Sequence, residues 1–139
     1  MNNRSLTQLI EQANEATRLY DSAGAIQMYT AVLDESEAKT NDPAEIEIRL
    51  AALRQRALLQ RRLGKQEAAM ASYQQFRQEA RTSQQQVIGI ELVAQQYSVM
   101  GQHDRAMSLH REALQQAETS NFTYGRALAW QGIASTLFY

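Results

Sequence analysis

Histidine and acidic side chains are the first groups in this sequence that could do chemistry. His103 and His110 are its only two histidines, and their seven-residue spacing places them on roughly one face of a helix. Such a pair could ligate a metal ion, but the sequence has no cysteine, and no nearby carboxylate completes a ligand set. We therefore expect His110 to pack in the core, His103 to face solvent, and the chain to hold no metal.

Catalytic motifs are absent from the sequence. It contains no glycine-rich phosphate loop, no serine elbow and no metalloprotease helix motif. Asp34, Glu35 and Glu37 lie close together, but surface carboxylates at this density are typical of a solvated face. We expect no enzymatic activity and no cofactor.

Four residues of one segment, Arg54, Leu58, Arg61 and Arg62, fall on one face if that segment is a helix. Guanidinium groups bind carboxylates through two parallel hydrogen bonds, so this face predicts an acidic peptide or protein as partner. The alternative is a solvated helix end, where cations are favoured by the helix dipole. The sequence leaves these two interpretations open.

The overall charge limits the classes of partner. The formal net charge is -1, which provides no general attraction for nucleic acid or for an anionic membrane. The first ten residues are polar, and no window approaches the roughly 18 apolar residues of a membrane span. We expect a cytoplasmic chain whose partner is neither nucleic acid nor membrane.

These side chains must be positioned by a repeated helical unit. The segments DSAGAIQMYTAVL, LGKQEAAMASYQQF and MGQHDRAMSLHREAL each begin with a polar turn and continue with an alanine and, four residues later, a ring. The marker alanines are Ala25, Ala69 and Ala106, spaced 44 and 37 residues apart. Self-similarity at this period indicates stacked supersecondary units.

Apolar residues at three- and four-residue steps upstream of each turn make every unit a pair of helices. Ser5 with Gln8, and Asp42 with Pro43 and Glu45, are typical of helix starts. The abundance of Ala, Gln, Glu, Leu and Arg supports helix throughout. The predicted helices are 5–19, 22–39, 43–63, 66–81, 84–100, 103–118 and 123–138.

The pattern resembles the tetratricopeptide repeat family over nearly the whole chain. Its most specific stretch, Ile90 to Leu114, matches the family in order and spacing, with Ala94, Gly101 and Ala106 at the small positions. The second unit departs from the family with Arg56 and Gln60 at usually apolar positions, and the first has Tyr20 where glycine is expected.

The resemblance implies an all-α, right-handed superhelical solenoid of about seven helices that binds another protein or peptide. Stacking with a small constant rotation would curve the array, and its concave face would be lined by the first helix of each unit. On this basis the predicted groove residues are Asn14, Arg18, Arg54, Leu58, Arg61, Arg62, Glu91, Gln95 and Ser98.

We expect one domain, 1–139, with repeats at about 5–41, 42–82 and 83–121 and an unpaired helix at 123–139. Because an uncovered repeat face is apolar, this helix predicts self-association. The alternative is a sensory or regulatory segment of a larger protein. The residues expected at the self-association surface are Trp130, Ile133, Leu137, Phe138 and Tyr139.

Overall fold

Every regular element in the described part of the chain is an α-helix. The computed structural model describes residues 3–138, with side chains from residue 5 onward. Neighbouring helices pack against one another, which confirms the all-α helical-repeat fold. In chain order the helices are α1 (Asn3–Arg18), α2 (Ser22–Asp34), α3 (Pro43–Arg62), α4 (Gln66–Glu79), α5 (Ser83–Val99), α6 (His103–Thr119) and α7 (Thr123–Leu137). No helix among the described residues is both long and apolar enough to cross a membrane.

Four helices end in the same way, with one residue in the left-handed region. That residue is Tyr20 after α1, Gly64 after α3, Gly101 after α5 and Asn121 after α6, with φ of 61°, 77°, 80° and 54°. In each case the amide of this residue donates to the carbonyl three residues before it. The amide of the following residue donates to the carbonyl five residues before itself. This double bond pattern is the Schellman motif, and it turns the chain sharply into the next helix.

α2 ends at Asp34 rather than at residue 39, so the predicted end was wrong. The last carbonyls of α2 accept hydrogen bonds from side chains outside the helix. Arg49 donates to the Leu33 carbonyl (2.8 Å), and the Ser36 hydroxyl donates to the Val32 carbonyl (2.6 Å). The link that follows is held by the Glu45 carboxylate, which accepts from the Glu37 amide (2.8 Å). These long-range bonds outweigh the helix propensity of the segment.

Side-chain caps mark the starts of α3 and α5. Asp42 accepts from the Ala44 amide at 3.0 Å, and Pro43 occupies the first helical position, where no amide partner is needed. Thr82 and Gln85 form a reciprocal capping box at the start of α5. The start predicted at Asp42 and Pro43 is confirmed.

The first compact unit, Met1–Glu79, contains α1 to α4. α1 packs on α2, α2 on α3, α3 on α4, and α1 also contacts α3. Arg49, in the first half of α3, bonds to the end of α2, and Arg56, in the middle of α3, bonds to Thr30 earlier in α2. α2 and α3 therefore run antiparallel. The core of this unit alternates small and aromatic residues, all at most 2% exposed: Ala13, Ala25, Tyr29, Ala57, Ala69 and Tyr73.

The second compact unit, Ala80–Tyr139, contains α5 to α7. α6 lies against both α5 and α7, and α5 also contacts α7. A Cβ on Gly132 would lie 2.2 Å from the His110 ring, so the glycine allows α7 to approach α6 closely. The central core cluster of this unit is Val87, Ile90, Ala113, Ala117 and Ala129.

Candidate binding surfaces

The C-terminal half of α3 presents the residues Arg54, Leu58, Arg61 and Arg62, which we call the basic patch. Arg54 and Arg62 are exposed, while Leu58 and Arg61 are half-buried. The opposite face of α3 is anchored in the core by Ala52 and Leu59, which are 0% and 2% exposed. Helical periodicity therefore turns the four patch residues outward together.

The arginines of the basic patch have no internal partner. Within the described residues, neither a hydrogen bond nor an ion pair engages Arg54, Arg61 or Arg62. All three lie near the buried Tyr73: burial raises the pKa of its phenol, and the positive charges of Arg61, Arg54 and Arg62 oppose that rise. The patch is thus a local concentration of uncompensated positive charge.

Two other arginines of α3 face inward and are fully engaged. Arg49 is 3% exposed and holds the Glu79 carboxylate through Nε (2.7 Å) and Nη2 (3.0 Å). Arg56 donates to the Ser72 hydroxyl (3.1 Å), which in turn donates to the Gln60 side chain (2.7 Å). Burial lowers the pKa of the Arg56 guanidinium, and the Asp34 carboxylate opposes this. Arg56 and Gln60, which depart from the family pattern, therefore form a polar network in the first unit.

The predicted groove residues of α1 are already bonded within the chain. The Asn14 side chain accepts a hydrogen bond from the Tyr29 hydroxyl. Arg18 is exposed and forms an ion pair with Glu15, one helical turn earlier. Neither residue adds free charge to the basic patch.

Glu91 lies elsewhere than predicted. Its side chain is 1% exposed, and its Oε2 is 2.5 Å from Nδ1 of His110, itself 2% exposed. A buried carboxylate without a partner is very unfavourable, so the imidazole of α6 draws Glu91 inward. As a correction to the predicted groove, Glu91 is a core residue of the second unit.

The remaining residues of the second unit have mixed positions. Gln95 is exposed and Ser98 half-buried on α5, while His103, expected to face solvent, is half-buried at the start of α6. His110 packs in the core as expected. Among the described residues, no group of three or more His, Cys, Asp or Glu side chains could hold a metal ion.

α7 carries the largest side chains on the surface of the second unit. Trp130, Leu137 and Phe138 are 58%, 63% and 89% exposed. Ile133 is 8% exposed and faces the core, so its predicted place on this surface was wrong. The predicted surface did not include Tyr124, which is 56% exposed. Tyr139 lies outside the described residues.

Neither a family model nor a curated protein matches the sequence. The resemblance to tetratricopeptide repeats therefore rests on the residue pattern alone.

Proposed function

We propose that this chain is a tetratricopeptide-like module that binds an acidic segment of another protein through the basic patch. The observation that carries this proposal is that Arg54, Arg61 and Arg62 have no hydrogen-bonded or ion-paired partner in the part of the chain that the structure describes, in contrast with the engaged Arg49 and Arg56. A charge without a hydrogen-bonded or ion-paired partner among the described residues remains available to a ligand. Leu58, between the arginines, provides an apolar contact for the same segment.

The spacing of the patch favours an extended ligand. Arg54 and Arg61 are two helical turns apart, a rise of about 10 Å along α3. Three residues of an extended polyproline II chain make one turn and span about 9 Å, so side chains three apart lie on one face. A segment with acidic residues three apart could therefore place one carboxylate on each guanidinium, since Arg binds carboxylates in a bidentate manner.

A binding module is a better account of the patch than a nucleic-acid or membrane site. The patch contains three arginines in a chain of net charge -1, whereas phosphate backbones and lipid surfaces favour extended basic surfaces. A cytoplasmic location is part of the same proposal, and so is the lack of catalytic activity.

The test is binding of a fluorescein-labelled peptide with glutamate at every third position and leucine between, measured by anisotropy. A second peptide with glutamine in place of every glutamate is the ligand control. We expect only the glutamate peptide to bind and its affinity to fall with added salt, because exposed charge pairs are screened over about 10 Å at 0.1 M.

The variant control separates the patch from general charge. The triple variant Arg54→Gln, Arg61→Gln and Arg62→Gln should lose binding at least about tenfold. The triple variant Lys39→Gln, Arg81→Gln and Arg111→Gln removes the same charge from exposed positions outside α3 and should bind as the unmodified chain does. Equal binding by both variants would remove the basic patch from consideration.

A further inference from the structure

The solvent-facing side of α7 is largely apolar, although Thr123, Gln131 and Ser135 are also exposed on it. We define the α7 face as Tyr124, Ala127, Trp130, Ala134, Leu137 and Phe138, all of them exposed. Arg126, the one charged residue between Thr123 and Leu137, is half-buried at its margin and donates to the Thr123 hydroxyl. Solvated helix faces normally carry charge, so this one is unusual.

On α5, earlier in the second unit, the positions equivalent to this face are covered by another helix. Val87 and Ile90 of α5 form the core with Ala113 and Ala117 of α6. Forty residues later in the repeat, their equivalents on α7 are Ala127 and Trp130, which are exposed. The α7 face thus has the residue pattern of a helix-packing surface but has no helix on it among the described residues.

The area of this face is close to that of one side of a dimer. Tyr124, Trp130, Leu137 and Phe138 are 56%, 58%, 63% and 89% exposed, which leaves on the order of 500 Å² of their side chains in contact with solvent. The largest apolar patch on a typical monomer is about 300–600 Å², and a standard interface buries about 800 Å² per partner. Ala127, Ala134 and the flanking backbone add to this area, so the α7 face approaches the roughly 800 Å² that each partner buries in a standard interface.

We propose that the α7 face is a homodimer interface in which two copies of α7 pack antiparallel about a two-fold axis level with residue 132. In this register Trp130 lies opposite Ala134 of the second copy, and Leu137 lies opposite Ala127. Trp130 and Leu137 then each meet a small side chain, which is the arrangement that close packing requires. Because the α7 face carries no charged residue, pairing it with the α7 face of a second copy brings no like charges together.

Sedimentation velocity of the full chain over a range of concentrations tests the interface. We expect a monomer–dimer equilibrium that Ala134→Glu shifts toward monomer, raising the dissociation constant by about thirtyfold, since it buries a charge at a packed centre. Ala71→Glu, on the exposed side of α4, is the matched control and should leave the dimer intact. A monomer at every concentration, or a dimer insensitive to Ala134→Glu, would overturn the proposal.

Cysteine cross-linking tests the register, because the chain has no cysteine of its own. The double variant Ala127→Cys with Leu137→Cys should form an intermolecular disulfide under mild oxidation. In Ala127→Cys alone, the two thiols would be about 15 Å apart along the helix axis, beyond the roughly 7 Å Cα separation that a disulfide allows. Cross-linking of that single variant would show a parallel pair and overturn the antiparallel register.

Discussion

Tyr20 holds a backbone conformation that glycine holds in two equivalent turns. Its φ is 61°, and its side chain is 94% exposed, so packing does not compensate for the strain. For a residue with a Cβ, the left-handed region costs about 1 kcal/mol or more. Gly64 and Gly101 adopt φ of 77° and 80° in the same motif without that cost.

We expect Tyr20→Gly to raise the free energy of unfolding by about 1 kcal/mol, because it removes the strain and loses almost no buried contact. Gly101→Ala should lower it by a similar amount: its Cβ would meet nothing within 4 Å, so only the backbone term changes. Urea unfolding followed by circular dichroism measures both. A destabilised Tyr20→Gly would mean that the exposed ring contributes to the fold.

The Glu91 and His110 pair shows what the sequence could not provide. Helical periodicity places His110 in the core, and the structure agrees. It does not reveal that a carboxylate 19 residues earlier lies 2.5 Å from its Nδ1, because that distance depends on how α5 packs against α6. The same long-range information decides that Glu91 is buried rather than part of a surface.

At the scale of the elements, boundaries set by local signals were predictable and those set by distant side chains were not. The capped start of α3 and the glycine turns at Gly64 and Gly101 follow from neighbouring residues. The end of α2 does not, because Arg49 reaches it from the next helix. One arginine therefore joins three helices, since it also binds Glu79 of α4.

Replacing this arginine should be far more destabilising than replacing a patch arginine. We expect Arg49→Met to lower the free energy of unfolding by about 3–5 kcal/mol, because Glu79 would keep a largely buried charge without its ion-pair partner. Arg54→Met, on the exposed face of the same helix, should change it by about 0.5 kcal/mol or less. Urea unfolding of the two variants provides the comparison. Similar values would show that the Arg49 contacts are not important for stability.

For the molecule as a whole, the repeat pattern was sufficient to predict an all-α chain of seven helices, but not the surfaces that it presents. Marker alanines at fixed spacing identify buried contacts, and Ala25, Ala69 and Ala106 are all fully buried. Exposure depends on what lies opposite a residue in space. This is why Ile133 turned inward although it lies beside Trp130 in the predicted surface.

The buried tyrosines make global stability sensitive to alkaline pH. Burial raises the pKa of both Tyr29 and Tyr73 above the ordinary value. For Tyr29 a hydrogen bond from Thr17 acts in the opposite direction, and for Tyr73 nearby arginine charges do. The folded state therefore favours the neutral phenol. Its contribution to stability is fully present below about pH 10, the ordinary pKa of tyrosine, and is lost as pH rises toward the folded-state pKa.

We expect the free energy of unfolding to fall above about pH 10, by up to about 1.4 kcal/mol per pH unit for each of these tyrosines. Tyr73→Phe should be nearly neutral at pH 7, because the Tyr73 hydroxyl makes no hydrogen bond among the described residues, and should make the alkaline decline shallower. Tyr20→Phe, at a tyrosine that is 94% exposed and lies outside the α7 face, is the control variant. Urea unfolding at intervals between pH 7 and pH 11 measures the slopes. If Tyr73→Phe and the unmodified chain lose stability in parallel, ionisation of Tyr73 does not contribute to alkaline unfolding.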